Sequence, residues 1–551
     1  MELLIDLFGY LSIVVHGMTI LAQSMALGGV LFLVLLARPL LRVTGTGVPR
    51  RTAAIAAWSA LGLAAAETAT VALQTAVLAG TLDIGLIGAM GAYATLAGLA
   101  KIAASIALAW MLFRDGHDAP AWRLLSLCAL ILAAATMTTH AAARLDGRAP
   151  LLVAAFLHQA GAALWIGGIP SFVAALAWVD DGIAYRAIGG RFSRMSMAGV
   201  VCILGSGVLM SVIYIGDWEG FYGTAYGVMV GAKIGLFLML LALGGLNFLA
   251  VERLRANPAT PVNRLRRCAE AEIGIGVALF FAAASLTSVP PAVDLTQDRA
   301  TWSEIVARNI PEWPRLSSPD YDRLAIPALQ ARLDAEAAAR AAKSSPAFIP
   351  GAGEIPPRNA DDIAWSEYNH HWSGLFVVAI GLLALANRAG VGWARHWPLL
   401  FIGLGVFLFV RSDPEVWPLG DIGFLESFRD IEVVQHRVFV VLILGFCLFE
   451  WRVRTGRATG QGAALVFPLM CAIGGTLLLT HSHAIANVKE QLLIEVTHTP
   501  LALAGIVAGW SRWLELRLDR TGSPLLHRVA GWTWPVCLLL SGLILLDYRE
   551  T

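Results

Sequence analysis

Charge is what this chain has least of. Only 14% of its 551 residues are Asp, Glu, Lys or Arg, against 57% hydrophobic residues, and the mean hydropathy is +0.68. That balance excludes a soluble globular protein. A formal net charge of +1 gives nucleic acid no basic surface to bind. Cysteine is sparse as well: six residues, at 128, 202, 268, 447, 471 and 537, stand apart with no C-x-x-C. Neither a disulfide framework nor a thiolate metal cage follows from them. There is no G-x-x-x-x-G-K-[ST] loop, which argues against direct ATP drive, and no C-x-x-C-H for covalent haem. The opening MELLIDLFGY is acidic and lacks the basic n-region of a cleavable signal, so the first apolar run reads as a retained span.

What is there is apolar length. Runs of about 20 residues or more can each cross a roughly 30 Å hydrocarbon core as a helix. Fourteen are expected, near 8–36, 52–79, 91–113, 122–145, 150–178, 195–216, 227–250, 269–289, 370–387, 397–411, 434–451, 463–482, 493–516 and 527–546. The fold class is an all-α polytopic membrane protein. Alternate connections carry 23 Lys and Arg against seven in the opposite short connections and the C-terminal tail. By the positive-inside rule the rich set is cytoplasmic and both termini face outward. The chain divides into an eight-span block over 1–292, an extracytoplasmic connecting segment over 293–369, and a six-span block over 370–551. The connecting segment should carry one helix and little core. The first block reads as a four-span unit used twice in parallel. His16 precedes Gly28-Gly29 in span one as His158 precedes Gly167-Gly168 in span five, and Tyr93 and Lys101 in span three match Tyr226 and Lys233 in span seven.

Nine of the twelve histidines fall on the outer side of this topology: His16, His140, His158, His370, His371, His436, His481, His483 and His498. His117, His396 and His527 fall inside. Interfacial histidines should populate both surfaces, so the bias points to metal sites at the outer face. In the first block Met18 lies beside His16, and Met137 lies three residues before His140 at the end of span four. Thioether with imidazole suits copper, Cu(I) above all, although methionine at helical spacing is also ordinary packing. In the second block Glu367, Glu432 and Glu495 each precede a histidine by about one helical turn, as ligands or as groups that orient the ring. The pattern also resembles carboxylate-bridged di-metal bundles, and paired histidines could instead hold haem. The corner LTHSHAIANVKEQLLIEVTHTPL concentrates His481, His483, Glu490, Glu495 and His498 near one surface. Glu67, Lys101 and Lys233 lie within spans, where they must pair or line a transport path.

The runs LHQAGAALWIGGIPS, RFSRMSMAGVVCILGSGVLMS, YGVMVGAKIGLFLMLLALGGLNFLAVERLR and AEAEIGIGVALFFAAASLTSVPPA, over roughly residues 150–292, resemble the bacterial copper resistance D (CopD/PcoD) family of inner-membrane proteins. The resemblance implies copper moved across or into the inner membrane, a periplasmic copper-binding partner of the CopC type, and a functional role for His158. The last six spans, with EYNHHW, DPEVWPLG, QHRVFV, LTHSHA and HTPLALAG, resemble the C-terminal extension of a subset of that family, and no activity follows from that. Two readings stand. In one, a copper transporter or copper-handling protein captures the metal at second-block histidines and passes it to His16, His140 and His158. In the other, a membrane metalloenzyme or electron-transfer protein holds haem or a dinuclear metal in the six-span block.

Overall fold

The structure is a computed structural model that describes residues 8–81, 88, 90–144, 147–296, 299–324, 326, 335, 359–480 and 488–549. Thirteen of its helices are long and apolar enough to cross a membrane, and a shorter apolar helix, Ala121–Thr136, stands where the remaining span is expected. The first block consists of α1 (Phe8–Phe32), α2 (Gly47–Thr81), α3 (Tyr93–Asp115), α4 (Ala121–Thr136), α5 (Arg148–Leu164, resuming as Ile169–Trp178), α6 (Gly182–Ile215), α7 (Ala225–Ala256) and α8 (Asn263–Leu286). The second consists of α9 (Ala360–Arg388), α10 (Leu400–Arg411), α11 (Ile431–Arg454), α12 (Val466–Leu478), α13 (Val488–Arg517) and α14 (Pro524–Leu546). There is no strand among the described residues beyond an isolated Val416–Ile422 bridge.

Helix α4 stops earlier than its apolar run suggests. The hydroxyls of Thr138 and Thr139 turn back to the carbonyls of Ala135 and Thr136, taking acceptors at the helix end. His140 therefore opens a separate turn, His140–Ala143, and does not share a continuous helix face with Met137.

Helices α1 and α5 cross at the centre of the first block through one glycine of each repeated pair. A Cβ on Gly167 would lie 1.9 Å from the Ser24 carbonyl oxygen, and one on Gly28 would lie 2.2 Å from the Gly167 carbonyl carbon. Only glycine lets the two backbones meet. Beside the crossing, Gln23 Nε2 donates to Gln159 Oε1 at 2.8 Å, and α5 breaks at Trp165 into a 3-10 turn, Ile166–Gly168.

Helix α13 joins the blocks. Its Ala502 and Ile506 belong to the first block's apolar core. Trp510 fills the space over Gly274 of α8, where a Cβ would stand 1.6 Å from the indole. At the arginine-rich ends of these helices Arg517 of α13 meets Glu270 of α8, which also holds Arg267. The second block has its own core around Trp397, Phe401, Phe467 and Trp534. Below it Glu450 and Glu515 bind Arg388, Arg454 and Arg512, tying α9, α11 and α13.

The connecting segment straddles both blocks. Arg299 pairs with Asp217, between α6 and α7, at 3.0 Å, and the short helix Trp302–Arg308 is closed by a Thr301–Glu304 capping box. Further on, Arg411 Nη2 donates to Ser318 and Tyr321 Oη donates to the Pro414 carbonyl. The Ala-rich stretch at 328–343 lies mostly outside the described residues.

Candidate metal-handling histidines and buried polar sites

In the first block His158 stands ten residues into α5, about 15 Å along the helix. Its Nδ1 lies 3.1 Å from Ser206 Oγ of α6. The Ser206 hydroxyl donates to the Cys202 carbonyl at 2.6 Å, so Nδ1 must carry the proton toward Ser206. Nε2 is then the lone-pair nitrogen. Lys233 of α7 lies within electrostatic reach of His158, and Lys101 of α3 within reach of His16. The two halves of the expected repeat thus place a first-helix histidine near a third-helix lysine. His140 approaches His16 electrostatically, and its Nε2 lies 3.1 Å from the Thr287 carbonyl. It must donate there, which leaves the lone pair on Nδ1.

Met18 does not join this group. Two residues along a helix is about 200° of rotation, and its side chain is 52% exposed. Glu67 and Lys101 do not line an open path either: they form a buried ion pair at 2.8 Å, with side chains 5% and 4% exposed. Lys233 is half-buried.

In the second block the histidines sort by tautomer. His371 is buried, with Nδ1 accepting from the Arg315 N–H at 2.7 Å and Nε2 donating to the Tyr548 carbonyl at 2.9 Å. Both nitrogens are committed to backbone, so this ring fastens the connecting segment and the C-terminal tail to α9 and has no lone pair for a metal. Its neighbour His370 points Nδ1 at the Ser366 carbonyl at 2.9 Å, and His498 points Nδ1 at the Ile494 carbonyl at 3.0 Å. Each is thereby fixed as the Nδ1–H tautomer with the lone pair on Nε2. The two rings meet edge to face at 6.0 Å, and Tyr548 stacks on His370 at 3.7 Å.

His436 Nδ1 lies 2.7 Å from Asp413 Oδ1. This is the carboxylate–imidazole pairing that orients metal-binding rings, and its partner is Asp413 of the DPEVWPLG turn rather than Glu432. Glu367 is taken by Arg315 at 3.1 Å. Glu495 is buried and accepts from Thr499 Oγ1 at 3.2 Å. His481 and His483 lie outside the described residues, as does the side chain of Glu490.

Among the described residues no three His, Cys, Asp or Glu side chains converge as a metal cage. Sequence reasoning missed Ser206, Asp413 and the buried Glu272. The last was legible as the second acid of AEAEIGIG, placed well inside α8.

Residues 186–286, which make up nearly all of α6, α7 and α8, match the family described as Copper resistance protein D. The Copper transport protein CutJ of Bacillus subtilis (strain 168) is 34% identical over 164 residues, 29% of this chain and 29% of that protein. The chain thus spans less than a third of that relative's length. No solved structure matches. The likeness to copper resistance protein D thus falls on α6, α7 and α8, the helices that follow His158 in the first membrane block.

Proposed function

We propose that this protein transports copper across the bacterial inner membrane, receiving it at the periplasmic face through histidines of both blocks. The observation that carries the reading is the shared tautomer of His158, His370 and His498. Each commits Nδ1–H to a helix carbonyl or hydroxyl, the kind of partnering that orients a metal-binding imidazole. His370 and His498 form the receiving site, and His436, oriented by Asp413, stands beside the same face. Copper then passes to His158, His16 and His140. A periplasmic copper-binding protein of the CopC type would deliver the metal there. Copper is favoured over haem because the matching family model and the similar Bacillus subtilis protein are both described by copper.

The test is copper accumulation by cells and by proteoliposomes carrying the full chain. His158→Ala should abolish it, while His117→Ala, at the opposite face, should leave it within about twofold. Normal transport by His158→Ala would sink the reading.

A further inference from the structure

Glu272 lies nine residues into α8, about 13 Å from that helix's inner end, and only 3% of it is exposed. Two neutral donors hold its carboxyl: Asn247 Nδ2 of α7, and the indole of Trp165 where α5 breaks. Gly244 thins α7 at this point, since a Cβ there would lie 3.5 Å from the Trp165 ring and 3.9 Å from Glu272 Oε2. No cation pairs with Glu272 among the described residues. An uncompensated carboxylate so deep in a membrane protein costs several kcal/mol.

The neighbour shows how the site is completed. Asn247 is 8% exposed, and its Oδ1 is buried with no hydrogen-bond donor. An amide edge offers one donor and one acceptor side by side. A carboxylate can satisfy only the donor, whereas a carboxylic acid satisfies both, accepting from Nδ2 and donating O–H to Oδ1. A metal ion is a poor alternative, because hard cations want six or more oxygens and the side chains here supply three. The groups facing Glu272 from α5 and α7 are uncharged. On its own helix the titratable neighbour is Cys268, one turn away, with Arg264 beyond it. From α13, Trp510 closes the adjacent turn over Gly274.

His158 and Trp165 are seven residues apart on α5, two turns on one face and about 10 Å along the axis. A copper ion arriving at His158, already near the Lys233 ammonium, adds positive charge to a buried region. Loss of one proton from Glu272 restores the balance. We propose that Glu272 is the proton site of a one-for-one exchange, in which its carboxyl releases a proton as monovalent copper enters at His158 and takes one up as copper leaves. No electron moves and no bond other than the O–H is broken.

The inference rests on the copper-transport reading, and the experiment separates the two. Full-length protein in liposomes receives Cu(I) under ascorbate, with an imposed pH gradient and a lumenal pH dye. Exchange predicts that each pH unit of inside acidity raises accumulated copper about tenfold, with the dye reporting copper-dependent proton exit. Glu272→Gln, which keeps the amide partner satisfied, should bind copper with wild-type stoichiometry but lose both signals. In infrared difference spectra of the wild type, copper should bleach the carbonyl band of a protonated carboxyl, and Glu272→Gln should lack that band. Copper flux indifferent to the gradient, no bleached band in the wild type, or gradient-driven accumulation by Glu272→Gln would overturn the exchange and leave transport standing. No copper flux at all in the wild type would overturn transport, and this proposal with it. Should Glu272→Gln fail to fold, the wild-type infrared and gradient measurements still decide.

Discussion

At the scale of single residues, the deciding quantity is which imidazole nitrogen holds the proton. His370 and His371 are adjacent in sequence and differ in chemistry, because Arg315 and Tyr548 claim both nitrogens of His371 while His370 turns Nδ1 to the Ser366 carbonyl. His498→Ala should therefore lower bound copper per protein in elemental analysis with little change in thermal stability. His371→Ala should leave copper content unchanged and lower stability by about 1–3 kcal/mol, since it strands a backbone donor and a buried acceptor. Copper affinity at the Nε2 sites should weaken as pH falls, because proton and metal compete for the same lone pair. A second pH effect runs the other way. Burial, with Asp413, Asp430 and Glu432 nearby, pushes the Glu415 carboxyl up from 4.5 to about 8. Its folded form favours the proton, so the stability it contributes is complete below about 4.5 and is lost as pH rises toward about 8. Protease cleavage of the 412–430 loop should rise over that window, and Glu415→Gln should flatten the rise. The sequence displayed the one-sided histidines but not their tautomers, because Tyr548 is 177 residues from His371 and no local spacing predicts the contact.

At the scale of helices, length and hydropathy carried most of the information. The expected span at 150–178 is observed at Arg148–Trp178, and that at 493–516 at Leu492–Arg517, because an apolar run must satisfy its own backbone hydrogen bonds in lipid. Two features escaped that logic. Helix α4 ends at Thr136 because threonine hydroxyls compete for its last carbonyls, and the partner of each glycine depends on packing the run itself does not encode. Gly274 is the clearest case: it looks like any glycine of an apolar helix, yet it receives Trp510 from the other block. Gly274→Ala should destabilise the protein by about 1–3 kcal/mol through overpacking. Combining it with Trp510→Ala should recover part of that loss, giving a coupling energy readable in a double-mutant cycle. Additive losses would show that the indole does not occupy the glycine gap.

At the scale of the whole molecule, His140, His371 and His436 gather with the connecting segment and the C-terminal tail at one end of the bundle. Arg144 reaches Asp294, Arg299 reaches Asp217, and Arg549 pairs with Glu312, so the connections before α5, before α7 and after α8 share a face with the tail. The arginine-rich connections lie at the other end, where Arg38 meets the Ala119 carbonyl and Arg517 meets Glu270. The positive-inside rule predicts that the histidine face is periplasmic, and the copper-receiving proposal depends on that expectation. A reporter inserted between Ile310 and Pro314, or fused after Thr551, should be active only if it folds outside the cytoplasm. The same sidedness should appear chemically. Single cysteines introduced at Trp313, 98% exposed, and at Trp393, 70% exposed near the opposite face, should differ in labelling of intact spheroplasts by an impermeant maleimide. Trp313→Cys should be modified at once and Trp393→Cys only after lysis. The reverse pattern would turn the histidine face toward the cytoplasm, and copper would then be offered to His158 from inside.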